Sequence, residues 1–166
     1  MNPLTPERAL ARLQDLCARS EQCSSEAMEK LRRWGIAGHK AETIVQHLVD
    51  TRFIDDSRYA RAFVSDKYRY ARWGRIKIIQ ALRLKRIDRD LIDEALAEEI
   101  DDETYIANLC ALLRAKCRTI GMAETEPDHI ARQKLIRFAA GRGYEPSLIM
   151  ELVRDPDYWM DSDGTD

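Results

Sequence analysis

The sequence predicts an all-α protein, and three observations carry that prediction. Apolar side chains recur at intervals of three and four residues through nearly the whole chain, which is the period of one helix face. No alternating apolar and polar stretch, the pattern of a β-strand, competes with it. Gly (7) and Pro (5) are scarce among the 166 residues, which disfavours a turn-rich β-protein. We therefore expect about nine short helices.

Start and stop signals place these helices in order. Thr5-Pro6-Glu7 combines a capping hydroxyl, a proline suited to the first turn and an acid. Asp55-Asp56 sets two acids where the helix dipole favours them. Further starts are predicted at Ser24-Ser25-Glu26, Pro127-Asp128 and Pro146-Ser147. The glycines that fall between the apolar stretches, where helices end, are Gly35, Gly74, Gly121, Gly141 and Gly143.

A similar local pattern returns at intervals of roughly 50 residues, which indicates an internal repeat. It starts at Leu31, Leu82 and Leu135, and in each case another predicted helix follows. We expect an elongated tandem array of three three-helix repeats, each too small to be stable alone. The predicted boundaries are 1–52, 53–100 and 101–156, followed by an acidic disordered tail over 157–166.

Composition limits the class of protein. The chain has 45% hydrophobic and 34% charged residues, which is typical of a soluble domain, and no apolar run approaches the roughly 18 residues of a membrane span. Nothing at the N-terminus resembles a signal peptide. The four cysteines, Cys17, Cys23, Cys110 and Cys117, lack metal-site spacing and are expected to be reduced thiols. We expect a cytoplasmic, monomeric protein with no membrane partner.

Charge is unevenly distributed along the chain. Residues 58–90 hold eleven basic residues and three acids, a net charge of +8, so the rest of the chain sums to −10 for the total of −2. Such a segment is explained by a solvated surface, by nucleic-acid binding through counterion release, or by docking on an acidic protein surface. The −10 elsewhere argues against a nonspecific DNA-coating protein and favours binding through one face.

An ideal helical wheel places Arg58, Arg61, Arg69 and Arg72 within a sector of roughly 80°. Tyr59, Phe63 and Tyr70 lie on the other side, as a predicted core face. Tyr68 lies near the edge of the arginines, where it either stacks on a base or packs in the core. The candidate binding residues of this segment are Arg58, Arg61, Lys67, Tyr68, Arg69, Arg72, Arg75, Lys77, Lys85 and Arg86.

No catalytic or metal-binding motif is present in the sequence. His39 and His47 lie eight residues apart without a third ligand at metal spacing, and His129 stands alone. No glycine-rich phosphate loop, nucleophile elbow or HExxH motif occurs. We therefore expect a protein that is not an enzyme and that uses neither a cofactor nor a metal.

Two segments carry a resemblance to a known family. "RFIDDSRYARAFVSDKYRYARWGRIKIIQALRLKRIDRDLIDEAL", residues 52–96, resembles the central signature of RecX, the bacterial regulator of RecA recombinase. "KLIRFAAGRGYEPSLIMELV" resembles the closing repeat of that family, and the first repeat resembles its opening one more loosely. The resemblance implies tandem three-helix repeats, no enzymatic activity, and binding to the RecA nucleoprotein filament through the basic middle repeat.

The sequence departs from the family pattern at two turns. Where relatives usually carry Lys-Gly-Ile, this chain has Lys85-Arg86-Ile87, and Arg86 would bear about 1 kcal/mol of strain in the same left-handed backbone. The turn before Trp73 has Ala71-Arg72 in place of another glycine. Both changes add charge at a turn.

The leading hypothesis is a regulator that inhibits RecA ATPase, strand exchange and filament growth in recombination and the SOS response. The resemblance leaves open whether this member inhibits or stimulates RecA, and whether it also contacts single- or double-stranded DNA. One alternative is a helical DNA-binding module that acts independently of RecA. Another is a structural adaptor that binds neither.

Overall fold

The structure, a computed structural model, describes residues 4–122 and 126–160, and the described residues are helical with no β-strand. The all-α prediction is confirmed. The ten α-helices in these ranges are α1 Pro6–Arg19, α2 Ser24–Arg33, α3 Gly38–Asp50, α4 Asp56–Asp66, α5 Arg75–Leu84, α6 Arg89–Glu99, α7 Asp102–Thr119, α8 His129–Gly141, α9 Pro146–Arg154 and α10 Pro156–Met160. A π-helical turn, Lys67–Ala71, continues α4 directly. None of these helices is long and apolar enough to cross a membrane.

The predicted helix starts are formed as expected. The Thr5 side chain accepts a hydrogen bond from the Arg8 amide at 3.3 Å. The carboxylates of Asp55 and Asp128 accept from amides three residues later, at 3.0 and 2.8 Å. Each cap satisfies one of the amides that a helix N-terminus leaves without an internal partner.

The second helix of each predicted repeat ends in the same backbone motif. A residue in the left-handed conformation follows the helix at Gly35 (φ 85°), Arg86 (φ 56°) and Gly143 (φ 92°). The next amide then bonds back to a carbonyl five residues earlier, as in a Schellman motif. These bonds are Ile36 N to Leu31 O, Ile87 N to Leu82 O, and Tyr144 N to Ala139 O.

This motif corrects the register of the third repeat. Leu31 and Leu82 are equivalent to Ala139, so the sequence match to Leu135 lies one helical turn too early. Arg86 takes the left-handed backbone that glycine would favour, as its position in the resemblance implied. Arg72 does so too, at φ 54°. Each arginine costs about 1 kcal/mol in strain relative to glycine.

Spatially, the residues form two compact units that cut across the predicted repeats. The first comprises the described part of Met1–Val64 with Ala81–Glu98, and the second comprises Ser65–Gln80 with the described part of Glu99–Asp166. The dividing points therefore fall within α4, within α5 and before the last residue of α6. The first unit is built on an apolar core from α1, α2 and α3, closed by the buried Ile54.

The C-terminal end differs from the prediction. Residues 157–160 were expected in a disordered tail, but they form most of α10, which contacts α7 and α9. Trp159 is fully buried, and its indole N–H donates to the Leu152 carbonyl at 2.8 Å. This helix was not predicted, because its contacts depend on one aromatic residue, Trp159, in a segment that is otherwise rich in acids. The remainder of the predicted tail, 161–166, lies outside the described residues.

In the second unit, the N-terminus of α5 is pressed against the turn between α8 and α9. The Gly74 amide donates to the Arg142 carbonyl at 2.8 Å, and the Ile76 amide donates to the Gly143 carbonyl at 2.9 Å. A Cβ atom on Gly74 would lie 2.2 Å from the Gly143 carbonyl carbon. Glycine is therefore required at position 74 because two backbones touch there.

Side chains complete this junction. The Arg75 guanidinium pairs with Asp102 at 2.6 Å and with Glu145 at 3.0 Å, and lies 4.0 Å from the ring centroid of Tyr105. The Tyr105 hydroxyl donates to Glu145 and accepts from the Arg75 amide. Burial, reinforced by the Glu145 carboxylate, raises the pKa of Tyr105. The phenol therefore stays a protonated donor at neutral pH.

The first unit contains an equivalent junction with different chemistry. Tyr59 is the fourth residue of α4, as Tyr105 is of α7, and its hydroxyl donates to Glu26 at 2.8 Å. Glu26 also pairs with Lys85 at 3.2 Å, and the Lys85 carbonyl accepts from the Ser25 hydroxyl. Burial alone would raise the pKa of Glu26, but the hydrogen bonds from Tyr59 and Lys85 outweigh it and lower that pKa.

We predict that Gly74→Ala destabilises the protein by about 3 kcal/mol or more, because the added methyl group meets backbone atoms that cannot rotate away. Gly141→Ala is the matched control, since a Cβ there meets nothing within 4 Å. Gly141 is the last residue of α8, so alanine at this position should leave stability unchanged or raise it by up to about 1 kcal/mol. Urea unfolding monitored by circular dichroism measures both, and equal stability of the two variants would contradict the close contact.

We predict that Glu26→Gln lowers the free energy of unfolding at pH 7 and that the loss shrinks in acid. A carboxylate whose folded pKa is lowered stabilises the fold fully above its unfolded pKa. That stabilisation disappears as the pH falls below the unfolded pKa and through the lowered folded pKa. Glu29→Gln is the control, since Glu29 pairs with arginines on an exposed helix face and should matter less. A Glu26→Gln deficit that stays constant from pH 7 to pH 3 would contradict the assignment.

Candidate interaction surfaces

In the first unit, three of the four candidate basic residues are held by acids. Arg58 pairs with Glu21 at 2.6 Å and also donates to two backbone carbonyls. Arg61 donates to the Ser57 hydroxyl at 2.9 Å and lies 3.9 Å from a Glu98 carboxylate oxygen. Lys85 is held in the Glu26 junction described above. These three cations therefore contribute to packing, and their charges are partly neutralised locally.

Arg86 differs from these three. Its side chain is exposed and makes no hydrogen bond or ion pair with any residue in the described ranges. It lines an open groove of about 880 Å³ with residues of α2 and α3 and with Leu84. Leu84 and Arg83 are exposed beside it, and Leu84 is 85% accessible. In the first unit, the α5–α6 turn is thus the place where a candidate cation without an ionic partner reaches solvent.

In the second unit, the π-turn reverses the predicted placement of two tyrosines. Tyr68 is 4% exposed, and its hydroxyl donates to the Asp101 carbonyl at 3.3 Å. Tyr70 is 81% exposed, although the wheel assigned it to the core. The wheel fails because a π-turn closes i→i+5 hydrogen bonds and rotates later residues away from the α-helical 100° step. Of its two alternatives for Tyr68, core packing is correct.

The π-turn also ends the predicted arginine face. The helical backbone stops at Ala71, and Arg72 follows in the left-handed conformation with its amide bonded to the Lys67 carbonyl. The Arg72 carbonyl accepts from the buried Tyr144 hydroxyl at 2.9 Å. The prediction of one regular helix face through Arg72 is therefore wrong. The turn is nevertheless held at its C-terminal end, because both the amide and the carbonyl of Arg72 are hydrogen-bonded.

The remaining cations of the second unit fall into two groups. Lys67 and Lys77 both lie over the Trp73 ring, at 4.9 and 4.5 Å from its centroid, and Arg75 is committed to its junction. Arg69 and Arg72 are exposed, and their side chains have no hydrogen-bonding or ionic partner in the described part of the chain. We call Arg69, Tyr70 and Arg72 the cationic turn, since it presents two unpaired guanidinium groups beside an exposed phenol.

The structure thus brings some candidates to the surface and withdraws others. Arg69, Arg72 and Arg86 are exposed and unpaired in the described ranges, whereas Tyr68 is in the core. The other six candidates are partly buried or engaged in ion pairs and cation–π contacts. Sequence reasoning missed Tyr70 because the three- and four-residue apolar period assigned it to the core, and no local signal marked the π-turn.

The histidines, cysteines and acids of the described residues do not gather into a group that could hold a metal ion. No group of three or more metal-binding side chains occurs within residues 4–122 and 126–160. Burial raises the pKa of the Cys17, Cys23, Cys110 and Cys117 thiols, so they stay protonated at neutral pH. These residues are free thiols in the structure.

The sequence is similar to that of known proteins. A family profile described as RecX, second three-helix domain, matches residues 55–96. "Regulatory protein RecX" of Clostridium acetobutylicum is 34% identical over 115 residues, which cover 69% of this chain and 52% of that protein. The chain therefore spans about half of that relative. "Regulatory protein RecX" of Acinetobacter baylyi is 30% identical over 138 residues, covering 83% of this chain and 81% of that protein.

A solved structure agrees with the fold. The crystal structure of RecX from Lactobacillus salivarius superposes with a TM-score of 0.79 at 18% identity, covering 92% of this chain and 97% of that one. At that identity the likeness shows the helical fold alone. The Acinetobacter relative, matched over most of both chains, shows the family: the chain belongs to the RecX family of regulatory proteins.

Proposed function

We propose that this protein regulates RecA recombinase by binding the RecA–DNA filament, and that it inhibits ATPase activity, strand exchange and filament growth. Membership of a family of regulatory proteins and the sequence resemblance described above support this assignment. The observation that carries it is the cationic turn. Its two arginine side chains are exposed and have no hydrogen-bonding or ionic partner among the described residues. The backbone of Arg72 is hydrogen-bonded through both its amide and its carbonyl.

The cationic turn suits an anionic, partly apolar partner surface. Two guanidinium groups supply bidentate donors for phosphates or carboxylates. Tyr70 supplies a rigid aromatic ring with a polar end, the kind of residue that carries much of the binding energy at interfaces. A nucleoprotein filament offers both phosphates and protein side chains, so one turn can contact both.

The alternative, a DNA-binding module that acts without RecA, rests on the same arginines. It requires tight binding to naked DNA at physiological salt, whereas a filament-directed regulator requires only weak binding that moderate salt abolishes. Fluorescence anisotropy of a labelled oligonucleotide, measured with and without RecA, separates the two.

We predict that Arg69→Glu with Arg72→Glu weakens inhibition of RecA ATPase on single-stranded DNA at least tenfold, equivalent to about 1.4 kcal/mol. The pair reverses four units of charge where an anionic surface would bind, so added repulsion also slows encounter. Stability should change by less than about 0.5 kcal/mol, because both side chains are exposed.

The matched control is Arg8→Glu with Lys40→Glu, the same charge change at exposed residues of α1 and α3 whose side chains make no hydrogen bond or ion pair with described residues. It should keep most of the inhibition. Acids of the α7 start are unsuitable as a control, since Asp101 caps α7 and Asp102 pairs with Arg75. If the cationic-turn variant folds and inhibits like the control, the filament is bound elsewhere.

We predict that Tyr70→Ala weakens inhibition by about 2 kcal/mol, close to thirtyfold, while Tyr70→Phe retains most of it. The ring is 81% exposed, so neither change should unfold the protein. The same ATPase titration reads out both variants. Wild-type inhibition by Tyr70→Ala would show that the ring has no role in binding.

A further inference from the structure

A second basic surface lies outside the segment that the sequence singled out. Residues 105–122 and 129–144 contain seven Lys and Arg residues and no acid. They form most of α7, all of α8 and the turn after it, within the second unit. No sequence motif marks this surface, although the absence of acids was visible in the sequence.

These seven cations have different surroundings. Arg114 donates to the Trp159 carbonyl, and Arg132 pairs with Glu126 at 2.9 Å. Lys116 and Arg142 lie over the Phe138 ring, at 5.1 and 5.3 Å from its centroid. The cations that are exposed and have no side-chain partner among the described residues are Arg118, Lys134 and Arg137.

Three of these cations and one aromatic residue line a shallow groove. Its volume is about 280 Å³, and it is lined by Lys116, Lys134, Arg137 and the half-buried Phe138. No acid lines it, so three positive charges face one concavity without a compensating group. Like charges gathered in this way repel one another, and an anion in the groove would relieve that repulsion.

We propose that this α7–α8 groove binds the phosphate backbone of a single nucleic-acid strand. A protein partner is less well matched, because interface cores need apolar and aromatic area and Phe138 is the single apolar residue in the lining. Phosphates need only clustered cations, whose binding is favoured by counterion release. A basic groove with an aromatic side chain in its lining is the arrangement used for single strands.

The proposal does not depend on RecA binding, since the strand is tested alone. The whole protein is titrated into a labelled single-stranded oligonucleotide at several salt concentrations. Lys134→Glu with Arg137→Glu should weaken binding at low salt at least tenfold. It should also reduce the slope of log K against log salt by about 1.4, because two phosphate contacts on a single strand are lost. Arg8→Glu with Lys40→Glu, an equal charge change, should lose threefold or less.

Several outcomes would overturn the proposal. Wild-type protein that does not bind the strand at low salt, equal losses in the groove variant and the control, or an unchanged salt slope would each do so. Displacement of the strand by poly-glutamate at equal charge concentration would assign the groove to acidic protein surfaces instead. Should the charge reversal impair folding, Lys134→Gln with Arg137→Gln removes the cations with half the charge change and should still weaken binding more than Arg8→Gln with Lys40→Gln.

Discussion

The contact between the backbones of Gly74 and Gly143 is the constraint on which the second unit depends. It leaves no space for a Cβ atom on Gly74, and it supplies carbonyl acceptors for two amides at the start of α5. The third amide, that of Arg75, is satisfied by the Tyr105 hydroxyl. Because the turn that carries Arg69, Tyr70 and Arg72 leads directly into this contact, the position of the candidate binding residues follows from it.

The same junction recurs in the first unit, and the two junctions explain why the compact units do not coincide with the sequence repeats. In each, the start of a second helix packs against the tyrosine-bearing helix and the left-handed turn that come later in the chain. The Ser25 hydroxyl donates to a carbonyl of the later turn in the first unit, where backbone amides do so in the second. The junctions also hold basic residues in ion pairs, since Lys85 and Arg75 each pair with a half-buried glutamate. Much of the +8 segment therefore stabilises the fold, and a few exposed residues remain for binding.

The helical class and the helix starts could be predicted from sequence because they rest on local rules: apolar period, capping acids and prolines. The left-handed backbone at Arg86 could also be predicted, since the family resemblance implied a glycine there. The burial of Tyr68 and the exposure of Tyr70 could not be predicted, because a π-turn changes the direction of the side chains without a local sequence signal. Nor could the pairing of Arg75 with Glu145 be predicted, because the two lie 70 residues apart and meet only through packing. The equivalence of Ala139 to Leu31 and Leu82 was not predicted, because Leu135, one helical turn earlier, fits the repeat pattern equally well.

Hydrogen exchange of the Gly74 and Ile76 amides tests the central claim most directly, because both lie at a helix start where amides ordinarily exchange quickly. If the α8–α9 turn accepts their hydrogen bonds as described, both amides should exchange as slowly as the core amides of α7. In the Gly143→Ala variant, both amides should lose this protection together. Exchange of Gly74 and Ile76 at the rate of exposed loop amides, with α7 still protected, would contradict the junction and the fixed position of the cationic turn.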